Sequence, residues 1–398
     1  MVKNRVVAKN RLAMSNKRWD IFCKIVDNFG DIGVCWRLSR QLANEHELHI
    51  RLFIDDFKVA SKLIAGLQEN LPSQIVDGVE IVPWTYADIA QPAPIVIETF
   101  SCELPASYLE KMVSTKSVWI NVEYLSAEPW VDDFHARPSK HPSLQLTKYY
   151  FFPGFSEKTG GLIRERDLIK QRNAFIFEIA DPMAQQIFWQ EIGVKRTSAL
   201  NISMFGYPEA NVKEFLAALI QYGKDTNIWV PYSSILKALK PLFPQHDFSL
   251  ASELTIKNVT LHVLPFLSPA EYEQLLWACD INFVRGEDSW IRAIWAGKPF
   301  IWQPYIQSEN THLIKLTAFL DHYLQNATPA IKASLSNAHY AWSNAGQEAS
   351  PLQSWQDFFS ELQNLKQYAE TRVQTLITQA DLASKLVIFS EKIMQNQV

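Results

Sequence analysis

The sequence lacks the signatures of several common protein classes. Its 398 residues include only four cysteines, Cys23, Cys35, Cys102 and Cys279, with no CxxC pair and no metal-ligand spacing. No apolar run approaches the roughly 20 residues that a membrane-spanning helix needs. The net charge of −4 gives no reason to expect nucleic-acid binding. We therefore expect a globular protein of the reducing cytoplasm, without a membrane segment or a nucleic-acid partner.

Common cofactor and hydrolase motifs are also missing. The sequence contains no GxGxxG, no P-loop, no GxSxG, no HExxH and no EF-hand loop, and its histidines are scattered. On pattern alone, a dehydrogenase with two Rossmann-like domains is the second candidate. Neither half of the chain carries the glycine fingerprint of that class, or the acidic residue about 20 positions beyond it.

Two series of alternating strands and helices are present. The first begins with the apolar run WDIFCKIV at 19–26, which predicts a strand buried on both faces, and the second begins with a strand at 199–205. Alternating strands and helices predict doubly wound parallel sheets. Two such α/β halves followed by C-terminal helices are the plan of a GT-B glycosyltransferase, with two Rossmann-like domains facing a central cleft.

The same patterns predict the domain boundaries. Residues 1–18 carry only positive charges and are expected to form a disordered extension, with Met14 as an alternative start. The two Rossmann-like domains are predicted at 19–190 and 198–365, and a helix at 366–398 is expected to pack back toward the first. The stretch 123–158, rich in proline and aromatic residues, predicts a long loop region and is a candidate docking surface.

Two carboxylates, Asp27 and Asp31, lie four residues apart in the turn after the first strand. Ligands of open parallel sheets bind at the carboxyl edge, where this turn is expected. Acidic residues in place of phosphate-binding glycines favour a cationic or proton-losing substrate. Asp31 alone also fits the N-cap of a helix beginning at Ile32. Asp27 has no such structural explanation.

The equivalent turn of the second half has the sequence RGEDS at 285–289. Asp288 or Ser289 would also fit a plain N-cap, but the following helix would direct its free N–H groups at the cleft. With Arg285 and Ser289 as donors, this turn predicts a diphosphate site. Glu287 would instead accept hydrogen bonds from sugar hydroxyls or face the acceptor.

Three aromatic residues are expected near that turn. Phe205 and Tyr207 follow the first strand of the second half, and Tyr272 lies in a helix nearby in topology. Such rings usually pack in a core, but they would also stack on a pyrimidine if the site holds a nucleotide.

Five segments resemble the protein-arginine rhamnosyltransferases of bacterial elongation factor P, the EarP family. They are WDIFCKIVDNFGDIGVCWRL at 19–38, FFPGFSEKTGGLIRE at 151–165, PFL at 265–267, FVRGEDS at 283–289 and AGKPF at 296–300. The resemblance implies an inverting GT-B enzyme that moves L-rhamnose from dTDP-β-L-rhamnose to one arginine of elongation factor P. It also implies that no metal or other cofactor is needed.

Site residues are carried over by motif. The resemblance makes Asp27, Asp31 and Glu287 the catalytic acids, and it assigns donor binding to Phe205, Tyr207, Tyr272, Arg285, Asp288 and Ser289. Paired carboxylates can bind a guanidinium bidentately and accept its proton. Asp31 is our choice of general base, with Asp27 and Glu287 positioning the guanidinium. The choice between Asp27 and Asp31 stays open.

The sequence departs from the family pattern at two places. The family commonly has PFLPQ where this chain has PFLSP at 265–269, so Pro269 replaces a glutamine. It commonly has WHIYPQ where this chain has WQPYIQ at 302–307, so Gln303 replaces a histidine. These changes keep one alternative open, a GT-B transferase with another nucleotide sugar or acceptor. The second alternative is a non-catalytic nucleotide-sugar-binding protein on the same fold. Three acids at one cleft argue against the second alternative.

Overall fold

Two compact units make up the protein. The computed structural model describes residues 17–26, 29–191, 199–345 and 349–397. The first unit contains the chain up to Arg166 and again from Gln379 onward, and the second contains Asp167–Thr378. Among the described helices, none is both long and apolar enough to cross a membrane.

The described residues contain fourteen β-strands. They are β1 Arg18–Cys23, β2 His49–Ile54, β3 Gln74–Val76, β4 Val79–Pro83, β5 Ile95–Thr99, β6 Val118–Val122, β7 Pro138–Lys140, β8 Thr147–Phe151, β9 Leu200–Met204, β10 Thr226–Pro231, β11 Glu253–Ile256, β12 Val259–Leu264, β13 Ile281–Arg285 and β14 Phe300–Gln303.

The helices surround the two sheets. They are α1 Phe29–His46, α2 Phe57–Leu63, α3 Ala106–Thr115, α4 Val131–Phe134, α5 Leu168–Glu178, α6 Pro182–Glu191, α7 Val212–Tyr222, α8 Leu236–Leu239, α9 Pro269–Ala278, α10 Asp288–Ala296, α11 Thr311–Tyr323, α12 Pro329–Trp342, α13 Pro351–Ser360, α14 Leu362–Leu376 and α15 Leu382–Gln397. Two short 3₁₀ helices lie at Trp84–Asp88 and Ser308–Asn310.

The first unit is built on an eight-stranded sheet in the order β3-β4-β2-β1-β5-β6-β8-β7. Its six central strands are parallel, and β3 and β7 pair antiparallel at the edges. The chain order reverses between β1 and β5. Ligands of doubly wound sheets bind outside the carboxyl ends of the strands at such a reversal.

The second unit repeats this plan with a six-stranded sheet in the order β11-β12-β10-β9-β13-β14. All neighbours are parallel except β11 and β12, and the order reverses between β9 and β13. The predicted α/β class with two Rossmann-like halves is therefore confirmed.

The buried strand β1 anchors the first core. The Phe22 ring stacks on Phe53 of β2 with centroids 4.2 Å apart, and Tyr108 of α3 packs edge-on against both. A pair of opposite charges lies inside this core, because Asp20 and Arg51 are both buried. Arg51 binds the Asp20 carboxylate with two hydrogen bonds of 2.9 and 2.8 Å. A buried acid is tolerated when it is paired in this way.

The aromatic stretch 123–158 is more structured than predicted. It contains α4, and it supplies β7 and β8 at one edge of the first sheet, where β8 pairs in parallel with β6. The prediction of a long loop was wrong here. Four of the five residues of β8 are only partly buried, so this strand lacks the alternating pattern that reveals a strand in sequence.

The unit boundaries also differ from the predicted ones. Helices α5 and α6 were expected in the first domain, but they belong to the second unit because their aromatic side chains pack there. Phe175 packs against Trp277 with centroids 5.6 Å apart, and Trp189 stacks on Trp229 at 4.7 Å.

The predicted C-terminal helix is two helices. Helix α14 lies in the second unit, where the Tyr368 hydroxyl donates to the Tyr323 carbonyl at 2.6 Å. Helix α15 lies in the first unit, where the Lys385 ammonium donates to the Thr159 carbonyl at 2.7 Å. Asp381 lies just before α15 and accepts the backbone N–H of Ser384 at 3.0 Å. This is the usual interaction of a helix-initiating aspartate.

Candidate active site

The acidic site of the first unit lies where β1 ends. Asp27 lies outside the described residues. Asp31 lies in the first turn of α1, because the helix already begins at Phe29. The prediction that Asp31 is an N-cap of a helix beginning at Ile32 was therefore wrong. An acid in the first turn still interacts favourably with the helix dipole.

The Asp31 carboxylate is buried and held by hydrogen bonds. Only 2% of the residue is exposed. Its Oδ2 accepts the backbone N–H of Val26 at 2.7 Å, and its Oδ1 accepts the hydroxyl of Tyr124 at 3.0 Å. Hydrogen bonds of this kind fix the orientation of the carboxylate. This acid is therefore pre-oriented at the reversal point of the sheet.

A second buried acid lies at the end of β5, next to β1. Glu98 is 1% exposed. It accepts hydrogen bonds from the Glu103 backbone N–H at 3.0 Å and the Trp119 indole at 2.9 Å, and Lys148 lies 3.2 Å away. Because these groups satisfy its carboxylate, Glu98 serves to hold the loop after β5.

In the second unit, Arg285 lies at the end of β13 between two aromatic rings. Its guanidinium carbon is 4.5 Å from the centroid of Phe205 and 4.6 Å from that of Tyr207. Its Nη1 donates to the Ser234 hydroxyl at 2.7 Å. Phe205 and Tyr207 therefore stack on a cation of this chain, an arrangement that orients the guanidinium.

The turn after Arg285 leads into α10. Gly286 has a left-handed φ of +61°, a conformation that glycine adopts without strain. Glu287 occupies the N-cap position, and its side chain makes no capping hydrogen bond. The alternative that Asp288 or Ser289 is the N-cap was therefore wrong. The Ser289 hydroxyl donates to the Arg285 carbonyl and accepts the Arg285 N–H at 3.1 Å, so it braces this turn.

Tyr272 completes the same cluster. Its ring lies edge-on to Phe205 with centroids 5.7 Å apart. Burial raises the pKa of the Tyr272 hydroxyl, and the negative charge of Asp288 raises it further. The structure thus brings together all six predicted donor-binding residues at one edge of the second sheet. Contacts run from Tyr207 through Arg285 to Phe205 and Tyr272, Ser289 braces the turn, and the charge of Asp288 acts on the Tyr272 hydroxyl.

The residues at both departures from the family pattern stabilise local structure. Ser268 caps α9 in a reciprocal capping box with Glu271, and Pro269 occupies the first turn of that helix. Gln303 is 3% exposed, and its side-chain oxygen accepts the Tyr207 backbone N–H at 2.8 Å. Gln303 therefore fixes the backbone beside Arg285.

Sequence reasoning missed three residues around these sites. Tyr124 contacts Asp31, and Ser234 contacts Arg285. Tyr305 is 54% exposed and lies edge-on to Tyr207 with centroids 5.7 Å apart. Each lies in a loop after a strand, and only the strand order shows which loops meet. The sequence indicated these residues only by their positions after the predicted strands that became β6, β10 and β14.

The comparisons with known proteins agree on one family. The family model described as elongation factor P (EF-P) rhamnosyltransferase EarP matches residues 19–391. A protein-arginine rhamnosyltransferase of Pseudomonas putida is 39% identical over 93% of this chain and 98% of its own length. One from Shewanella oneidensis is 38% identical over 94% and 98%, respectively.

Solved structures give the fold. A structure described as the basis of EarP-mediated arginine glycosylation of translation elongation factor EF-P has a TM-score of 0.67 and 31% identity, covering 94% of this chain and 99% of that one. MurG of Acinetobacter baumannii has a TM-score of 0.51 at 13% identity, with 94% and 99% coverage. The predicted GT-B fold is confirmed by these neighbours.

Proposed function

Since the chain belongs to the EarP family of elongation factor P rhamnosyltransferases, we propose that it transfers L-rhamnose from dTDP-β-L-rhamnose to an arginine of elongation factor P. The observation that carries the proposal is the opposite chemistry of the two sheet edges. A buried, hydrogen-bonded carboxylate suits a guanidinium, and an oriented guanidinium beside a helix N-terminus suits a diphosphate.

The acceptor needs activation by a base. A guanidinium is protonated at any physiological pH and its lone pairs are delocalised, so it is a poor nucleophile. Asp31, held by Val26 and Tyr124, would orient one terminal nitrogen and accept its proton as the bond to the sugar forms. In this proposal Asp27 and Glu287 position the guanidinium.

The donor needs stabilisation of its leaving group. As the bond from sugar to phosphate breaks, the nucleoside diphosphate gains negative charge. Arg285 and the positive end of the α10 helix dipole would stabilise that charge. Direct attack by the arginine nitrogen gives inversion at the anomeric carbon without a covalent intermediate. The proposal includes no metal, so a chelator should leave the rate unchanged.

An alternative is transfer of another sugar. Pro269 lies where the family commonly has a glutamine, and a proline side chain cannot form a hydrogen bond with the donor. The transfer assay therefore includes several donor sugars. The free, buried state of all four cysteines is compatible with the cytoplasm, the location we propose.

The experiment is a transfer assay read by intact mass. The protein is incubated with elongation factor P of the same bacterium and dTDP-rhamnose, dTDP-glucose or UDP-glucose, with and without EDTA. We expect a gain of one deoxyhexose with dTDP-rhamnose, insensitive to EDTA, and NMR of the product should show inversion. No gain with dTDP-rhamnose would refute the proposed donor, and no gain with any donor would favour a binding protein.

A further inference from the structure

Tyr124 links the acidic site to the neighbouring strands of the first sheet. It lies two residues beyond β6, and its hydroxyl donates to Oδ1 of Asp31 at 3.0 Å. The backbone N–H of Val26 donates to the other oxygen at 2.7 Å. Each oxygen of this carboxylate therefore has a donor, the backbone of Val26 on one side and the side chain of Tyr124 on the other. Despite this contact, 40% of Tyr124 is exposed.

The ring of Tyr124 is fixed from one side by Phe100. The two rings stack with centroids 4.2 Å apart and planes 9° from parallel. Phe100 and Ser101 have left-handed φ angles of +55° and +53°. Residues other than glycine rarely adopt this conformation, and adjacent examples near a site mark a segment held in place by its surroundings.

Three hydrogen bonds to the ends of β5 and β6 hold the Phe100 segment. The Phe100 N–H donates to the Val122 carbonyl at 2.8 Å. The Ser101 N–H donates to the side chain of Asn121, which is fully buried, at 3.0 Å. The Glu98 carboxylate accepts the backbone N–H of the residue that follows Cys102. The fold thus fixes Phe100, Phe100 fixes the plane of Tyr124, and Tyr124 orients Asp31.

We infer that Tyr124 is a positioning residue for Asp31 and a specificity-determining contact for the acceptor guanidinium, an inference that rests on the proposed function. Phe100 covers one face of the ring, and 40% of Tyr124 is exposed despite this contact. A cation held by Asp31 would lie within reach of the ring, because the Tyr124 hydroxyl contacts Asp31.

The chemistry favours arginine over lysine. A planar guanidinium can bind a carboxylate with two hydrogen bonds while its face rests on an aromatic ring. A lysine ammonium is compact and strongly hydrated, so it gains less from the same surface. In this reading the Tyr124 hydroxyl acts on the rate, through Asp31, and its ring acts on acceptor affinity.

Two variants separate these roles. Tyr124→Phe removes the hydroxyl and keeps the ring, so kcat should fall roughly 10- to 100-fold, as expected for the loss of a hydrogen bond to a charged group. Its KM for elongation factor P should stay within about twofold of wild type. Tyr124→Leu removes the ring as well, and should raise that KM by a further factor of roughly 2 to 5, the range of an exposed cation–π contact.

Tyr108→Phe is the matched control. It removes a tyrosine–aspartate hydrogen bond of the same kind, to Asp20 inside the core of the same unit. This control should lower the melting temperature and leave kcat and KM unchanged. A kcat within twofold of wild type for Tyr124→Phe would overturn the positioning role. Equal KM values for the Phe and Leu variants would overturn the contact with the acceptor.

Binding of elongation factor P in the absence of donor tests the role of Tyr124 independently of sugar transfer. Calorimetry of elongation factor P without donor should give weaker binding for Tyr124→Leu than for Tyr124→Phe. If the wild type transfers no sugar, the proposed function fails, and this titration still decides the inference. Equal binding by both variants, or no binding by the wild type, would refute it.

Discussion

The carboxyl edges of the two sheets share a topology and differ in charge. At the reversal between β1 and β5, the turn after the central strand contains the buried Asp31. At the reversal between β9 and β13, Arg285 at the end of β13 packs against two aromatic rings, Phe205 and Tyr207. The comparison teaches that a few turn residues, and not the fold, decide whether such an edge suits a cation or an anion.

The two edges also differ in the kind of group that holds the charge. Asp31 is held by hydrogen bonds, one from Tyr124 beyond β6 and one from the Val26 N–H of its own turn. The Arg285 guanidinium packs on aromatic rings after β9 and donates to Ser234 after β10, while Ser289 braces its backbone. In both cases the distant contacts depend on the strand order.

The strongest test of the contrast is Asp31→Asn. The amide keeps the shape of the side chain but cannot accept a proton, so transfer to elongation factor P should fall at least about 1,000-fold, within the range for loss of a general base. The readout is intact mass over time. Asp55→Asn is the control, because Asp55 is an exposed acid just after β2 whose carboxylate accepts the Ile25 N–H at 3.0 Å. Full activity of Asp31→Asn would refute our choice of base.

Low pH should reduce the stability of the second unit, because His339 becomes protonated on unfolding. Burial lowers the pKa of His339 to about 4, from an unfolded value near 6.5. A histidine with a lowered pKa makes its full contribution to stability above the unfolded pKa, and it loses that contribution as pH falls from about 6.5 to 4. The loss amounts to about 3 kcal/mol in the free energy of unfolding.

Urea titrations at pH 7, 5.5 and 4 measure this effect. His339→Leu should flatten the decline of unfolding free energy between pH 6.5 and 4. His135, whose pKa is also lowered to about 4 by burial and by the nearby charge of Lys385, remains in the variant and keeps part of the decline. An unchanged pH dependence in His339→Leu would contradict the assignment.

At the cationic edge, the informative change is Arg285→Lys. Lysine keeps the charge but loses the planar stacking on Phe205 and Tyr207 and the geometry of the bond to Ser234. The KM for the nucleotide sugar should rise roughly 10- to 50-fold, about 1.4 to 2.3 kcal/mol. The KM for elongation factor P should stay unchanged. A rise in the acceptor KM alone would reverse our assignment of the two edges.

Glu287→Gln tests the acid at the N-cap of α10. Because the Glu287 side chain makes no capping hydrogen bond, its replacement should cost less than about 1 kcal/mol of stability. If Glu287 positions the guanidinium, kcat should nevertheless fall by roughly tenfold. Thermal melts and initial rates measure the two effects. Unchanged kcat would remove Glu287 from the catalytic set.

The smallest effect is expected from Gln303→His, which restores the residue common in the family. Gln303 is buried and accepts the Tyr207 N–H, and an imidazole nitrogen can accept the same bond. The donor KM should therefore change by less than about threefold. A tenfold gain in donor affinity would instead indicate that this position contacts the donor.

Several features of the fold could be predicted from local patterns. The apolar runs of β1, β5 and β9 are buried on both faces, as parallel strands require, and the helix after each is amphipathic or buried. Where the pattern is weak, prediction failed. The partly buried β8 looked like a loop, and the break between α14 and α15 was missed because apolar spacing continues across residues 377–381.

By itself, the sequence determined the α/β class, the two halves and the two charged turns, because these depend on local periodicity and on short motifs. The tertiary structure alone decided what surrounds each charge. Tyr124 lies 93 residues from Asp31 and Ser234 lies 51 residues from Arg285, yet both pairs are hydrogen-bonded. Strand order creates these contacts, since it brings the carboxyl ends of distant strands to one edge, and no local pattern encodes that order.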